Sequence, residues 1–139
     1  MINSNNDMII SVSESVNNGT VLRTETGDAN DGGFIGAFSS NTNTSIMVSD
    51  CTNNGALNGF TYAGGFAGYL LVITDTLITI SNWTNNGDIT TDSVASGFAG
   101  FMSSSKNLSL TISNSINNGN VEGSYGYAGG LFECSMDQT

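Results

Sequence analysis

Thr76-Leu77-Ile78-Thr79-Ile80-Ser81-Asn82-Trp83-Thr84-Asn85-Asn86-Gly87-Asp88-Ile89 alternates apolar and polar side chains, then runs into an Asn-Asn-Gly triplet and one more apolar residue. Apolar residues at every second position, here Ile78 and Ile80, are the mark of a half-buried β-strand. The same arrangement recurs along the chain. One column reads Ile10, Ile46, Ile78, Leu110 and a second Val12, Val48, Ile80, Ile112, each followed by Ser13, Ser49, Ser81 or Ser113. The triplet itself falls at Asn17-Asn18-Gly19, Asn53-Asn54-Gly55, Asn85-Asn86-Gly87 and Asn117-Asn118-Gly119, at spacings of 36, 32 and 32. Two residues beyond each triplet stands Val21, Leu57, Ile89 or Val121.

A second, glycine-rich motif keeps the same period. It occupies Gly32-Gly33-Phe34-Ile35-Gly36, Gly64-Gly65-Phe66-Ala67-Gly68, Ser96-Gly97-Phe98-Ala99-Gly100 and Gly129-Gly130-Leu131-Phe132-Glu133. Each repeat reads as strand, Asn-Asn-Gly corner, short strand, polar loop and third strand. Recurrence of identical columns predicts an all-β, parallel β-solenoid of four coils, about 32 residues and three strands per coil, with equivalent strands stacked about 4.8 Å apart. The coils are expected at about 8–43, 44–75, 76–107 and 108–139, in one domain over 1–139 that stands alone or belongs to a longer repeat protein. Asn and Gly tolerate positive φ, which suits a corner. Stacked Asn side chains can also bond from coil to coil. The rival, Asn-Gly hairpins in an antiparallel sandwich, requires matched strands on both sides of the turn, and the segment after the triplet has only one apolar position.

Gly, Asn, Ser and Thr make up 71 of the 139 residues, which disfavours helix. Apolar residues still reach 38%, enough for a core, and charged residues are only 10%. There is no His or Pro, and Arg23 and Lys106 are the sole cations against twelve acids, a net charge of −10. That balance argues against nucleic-acid binding and deprives a catalytic site of most bases and activators. No apolar run approaches the roughly 20 residues of a membrane span. No signal peptide is visible at the N-terminus. Cys51 and Cys134 fit no metal spacing and read as small thiols.

The two motifs together resemble the GLUG-motif repeat, named for Gly-Leu-any-Gly, of surface and secreted proteins. Its Asn-x-Gly-x-Val stretch followed by Gly-Gly-Leu-Val-Gly is matched by Asn117-Asn118-Gly119-Asn120-Val121 and Gly129-Gly130-Leu131. The other repeats carry Phe in place of Leu, and Glu133 replaces the last glycine of the fourth. The resemblance implies an adhesive or structural part of a large extracellular or cell-surface protein, and no catalytic residues.

Several candidate sites follow. If Phe34, Phe66, Phe98 and Leu131 point inward, then Ile35, Ala67, Tyr69, Ala99, Phe101 and Phe132 form an outward apolar stripe suited to lateral self-association. The coil ends expose strand edges that invite end-to-end stacking. The extra residues of the first repeat, Gly27 to Gly32, lack the ligand spacing of an EF-hand and read as a solvated turn. Trp83 shares a column with Ser15, Cys51 and Ser115 and is expected at the surface, where a glycan is a weak candidate partner. Asp75, Asp88, Asp92 and Glu122 are scattered acids without basic partners, so neither a catalytic centre nor a cofactor or metal site is expected. The reading is a non-enzymatic building block that forms a homo-oligomer or filament in an extracellular assembly, with an adhesin-like glycan- or ice-binding module as its alternative. Thr74, Thr76, Thr79, Thr90 and Thr91 do not form the columns that ice would favour.

Overall fold

The computed structural model describes residues 1–4, 7–22, 29–40, 42–125 and 127–136. It is an all-β parallel solenoid. Every strand pair is parallel, and equivalent residues on successive rungs are about 32 positions apart. Ile10, Ile46, Ile78 and Leu110 stand in one register column, and Val12, Val48, Ile80 and Ile112 in the next.

The expected count of four coils is slightly high. Four rungs stack at each corner, so about three turns separate the first from the last. The expected three strands per coil also change. The third strand of one repeat and the first of the next merge, as in the 15-residue strands Ala67–Ser81 and Ala99–Ser113. They merge because the left-handed column Asp7, Asn43, Asp75, Asn107 bends the chain locally while pairing continues on both sides; the second left-handed column, Glu14, Asp50, Asn82, Asn114, comes just after the strands end. Three short sheets complete the coil. The corner sheet stacks Val16–Asn17, Thr52–Asn53, Thr84–Asn85 and Ile116–Asn117. The next stacks Val21–Leu22, Leu57–Gly59, Ile89–Thr91 and Val121–Gly123. In the segment read as a polar loop, Asn30–Gly32, Tyr62–Gly64, Val94–Ser96 and Tyr127–Gly129 form a fourth sheet.

Positive φ therefore does not reside in the Asn-Asn-Gly triplets. It sits three residues earlier, at Glu14, Asp50, Asn82 and Asn114. The triplet glycines are required for closeness instead: a Cβ on Gly55, Gly87 or Gly119 would overlap the carbonyl oxygen of Gly19, Gly55 or Gly87 on the preceding rung.

Two apolar compartments fill the coil. The larger contains Phe38, Ile46, Val48, Cys51, Leu70, Val72, Ile78, Ile80, Met102 and the stacked Phe66 and Phe98, whose rings lie 4.9 Å apart at 10°. Trp83 is fully buried in it, edge-on to Phe34, Phe66 and Phe98 at 5.4–5.8 Å. Its Nε1 donates to the Gly97 carbonyl at 3.2 Å. The smaller compartment holds Leu57, Ala63, Ile89 and Ala95, between the two short sheets that follow the corner.

Candidate functional site

The corner ladder is built on buried and exposed Asn columns that differ in what they hold. The first Asn of each triplet turns inward, and Asn53 and Asn85 are completely buried. Asn17 Nδ2 donates to Asn53 Oδ1, Asn53 Nδ2 to Asn85 Oδ1, and Asn85 Nδ2 to Asn117 Oδ1, at 2.7–2.8 Å. The other hydrogen of each amide goes to the carbonyl two residues on: Gly19, Gly55, Gly87 or Gly119. The inner amides of Asn17, Asn53 and Asn85 thus spend both hydrogens inside the chain, as burial requires. Room for them comes from the second motif, since Gly33 lies against Asn53, Gly65 against Asn85 and Gly97 against Asn117.

The second Asn of each triplet is exposed and forms a ladder of opposite sense. Asn54 Nδ2 donates back to Asn18 Oδ1, Asn86 to Asn54 and Asn118 to Asn86, at 2.8–2.9 Å. Further Asn side chains donate across rungs at the left-handed columns, Asn43 to Asp7, Asn82 to Asp50 and Asn107 to Asp75.

The outward apolar stripe is largely overturned. Ala67 and Ala99 are completely buried, and Ile35 packs against the larger core. Tyr69 and Phe101 are half-buried, stacked on one another at 5.3 Å and 6°, with Tyr62 of the fourth sheet against both. The cause is the glycine beside them. A Cβ on Gly68 would strike Asp31 N and one on Gly100 would strike Ala63, so these glycines let the fourth sheet lie directly on the start of the long strands. Phe132 sits in Phe132–Met136 opposite Ala99; its side chain, like that of Cys134, lies outside the described residues.

Trp83 is also not where the sequence suggested. Its register neighbours are the fully buried Cys51 and the half-buried Ser15 and Ser115, so the column turns inward and leaves no indole for a sugar. Arg23 and the Gly27-Asp28 part of the first-repeat turn lie outside the described residues. The scattered acids stay apart: Asp75 accepts from Asn107, and Asp88 accepts from the Asn120 backbone N–H at 2.9 Å. Among the described residues, no three Cys, Asp or Glu side chains group as metal ligands would. Asp92 joins Phe60, Thr61, Ser93, Ser124 and Tyr125 around a groove of about 500 Å³, on the turns between the two short sheets that follow the corner. No described helix is long and apolar enough to cross a membrane.

The ends of the coil differ from its middle. Ile46, Ile78, Val48 and Ile80 are sealed by rungs on both sides, whereas Leu110 and Ile112 on the last rung are 38% and 37% exposed. On the first rung Ile10 and Val12 are partly uncovered. Among the described residues nothing pairs with the outer edges of the first and last corner strands. The chain matches no known protein family, no characterised protein and no solved structure.

Proposed function

We propose that this chain is a structural building block that assembles by stacking coil ends, in a surface or extracellular filament. The observation that carries the reading is the pair of end rungs, where apolar columns and strand edges sealed elsewhere stand uncovered among the described residues. An exposed parallel edge with an apolar row behind it is a template for another strand. A second copy fits it, because its own rungs have the required spacing and columns. The stripe adds little, since Tyr69 and Phe101 are mostly engaged with Tyr62 inside the chain. Electron microscopy of the purified protein over a range of concentrations tests this. Rods one coil wide that lengthen with concentration are expected, and isolated particles at every concentration would refute it.

A second reading, an adhesin-like module that binds glycans, is favoured by the groove of Phe60, Asp92 and Tyr125. Aromatic faces beside a carboxylate and hydroxyls are what a sugar ring contacts. Glycan-array binding lost in Tyr125→Ala would establish it, and an array without hits would dismiss it.

A further inference from the structure

We infer that the ends join in one orientation only, the last rung of one copy receiving the first rung of the next in register, with Ile2–Ser4 of the incoming copy giving up the place in the long sheet that residues 134–136 hold in the same column. This rests on the stacking reading above and adds its direction. Three independent features point to it.

The first is glycine where no described neighbour demands it. In the column Gly33, Gly65, Gly97 and Gly130, a Cβ on the first three would overlap the carbonyl oxygen of the following rung. Gly130 has nothing within 4 Å among the described residues. In the triplet column the overlap runs the other way, onto the preceding rung, and Gly19 on the first rung meets only its own Asn17 Oδ1, at 3.5 Å. Neither glycine has positive φ. Among the described residues, a side chain at either place meets nothing closer than ordinary van der Waals contact. In a head-to-tail stack, Gly130 would face Gly33 of the next copy and Gly19 would face Gly119 of the previous one, restoring the contact that makes glycine necessary in the interior.

The second feature is the sense of the ladders. The buried ladder donates toward the last rung, so Asn117 retains there the hydrogen that Asn53 and Asn85 give to the rung beyond them. Asn17 Oδ1 on the first rung accepts the Gly19 backbone N–H at 3.1 Å and keeps its second lone pair for a donor from a preceding rung. The exposed ladder donates toward the first rung, leaving the Asn18 donor at one end and the Asn118 acceptor at the other. Head-to-tail contact matches donor to acceptor in both ladders at once. Joining like ends sets donor against donor in one ladder and acceptor against acceptor in the other.

The third feature is charge. The left-handed columns begin with acids, Asp7 and Glu14, and end with amides, Asn107 and Asn114. Head-to-tail contact places each acid beyond an amide, Asp7 beyond Asn107 and Glu14 beyond Asn114, whereas within the chain the amide lies beyond the acid and donates back to it, Asn43 to Asp7 and Asn82 to Asp50. First rung on first rung would gather four carboxylates. A heterologous contact that does not close generates a filament.

Complementation between blocked ends decides the question. Gly130→Val closes the last rung and Gly19→Val the first, and both should match the wild type in circular dichroism and urea midpoint. In sedimentation velocity the wild type should grow with concentration. Each variant alone should remain a monomer, its association weakened about a hundred-fold or more, and the equimolar mixture should form a dimer and nothing larger. A dimer from either variant alone would overturn the orientation while leaving stacking intact. A mixture that stays monomeric while the wild type assembles would overturn the register. A monomeric wild type, or variants that grow as it does, would refute end stacking itself. Asn117→Asp and Asn18→Asp provide a second pair of blocks if the valines disturb folding, since each keeps its inward acceptor and loses the outward donor, Asn117→Asp also giving up its bond to the Gly119 carbonyl.

Discussion

Asn85 carries more of the corner than its size suggests. Its amide donates to Gly87 O and Asn117 Oδ1 and accepts from Asn53, all without water. Truncation strands a buried donor and a buried acceptor, each costing about 1–3 kcal/mol. Asn86, one residue on, makes the same kind of bonds in solvent, where water replaces them. Asn85→Ala should lower the urea unfolding free energy by at least about 2 kcal/mol, and Asn86→Ala by under about 1 kcal/mol. Equal losses would show that burial does not distinguish the ladders. The Asn columns were legible from their period alone, because every rung keeps the same residue. Trp83 was not, since its column is otherwise Ser15, Cys51 and Ser115, and a column's direction is hidden when its members are small and polar. The positive φ was misplaced for a related reason. Asn-Gly signals a turn strongly, yet here the triplet is held extended by its ladders, and the bend falls to Glu14, Asp50, Asn82 and Asn114.

Among elements, the fourth sheet is what sequence reading missed. Asn30–Gly32, Tyr62–Gly64 and Val94–Ser96 are three residues each and mix glycine, alanine and polar side chains, so no alternation announces a strand. Only the Gly68 and Gly100 contacts reveal that something must lie on the long strands. That sheet converts an expected outer surface into an interface, with Tyr62 over Tyr69 and Phe101. Burial, and then the neighbouring Tyr62, raise the Tyr69 hydroxyl above its usual pKa of 10.0. The unfolded chain ionises first, so this contribution to stability is whole below pH 10.0, the unfolded value, and is lost as pH rises through the raised folded value. Tyr69→Phe should therefore flatten the alkaline fall in stability, seen as a smaller drop in melting temperature between neutral and strongly alkaline buffer. An unchanged drop would place the sensitivity elsewhere.

At the scale of the whole molecule, a net charge of −10 acts along a stack of rungs only a few ångströms apart. Like charges on successive copies repel, and salt screens them. Assembly should tighten from low to high salt in sedimentation experiments. Loosening would mean that ion pairs hold the ends together, a role for which only Arg23 and Lys106 are present. The solenoid itself was readable because two unrelated motifs shared one period. The number of turns and the division of each coil were less so, since a repeat counts rungs and pairing decides where strands merge.

The uneven sealing of the columns also affects how the fold comes apart. In a stack where each rung touches only its neighbours, stability is distributed along the axis and not held in common. Ile46 and Ile78 lie under rungs on both sides, while Leu110 and Ile112 are covered on one. Amide hydrogens of the second and third rungs should exchange slowest, with protection falling away toward either end. The lone chain thus has a graded series of opening energies, fraying from its tips inward.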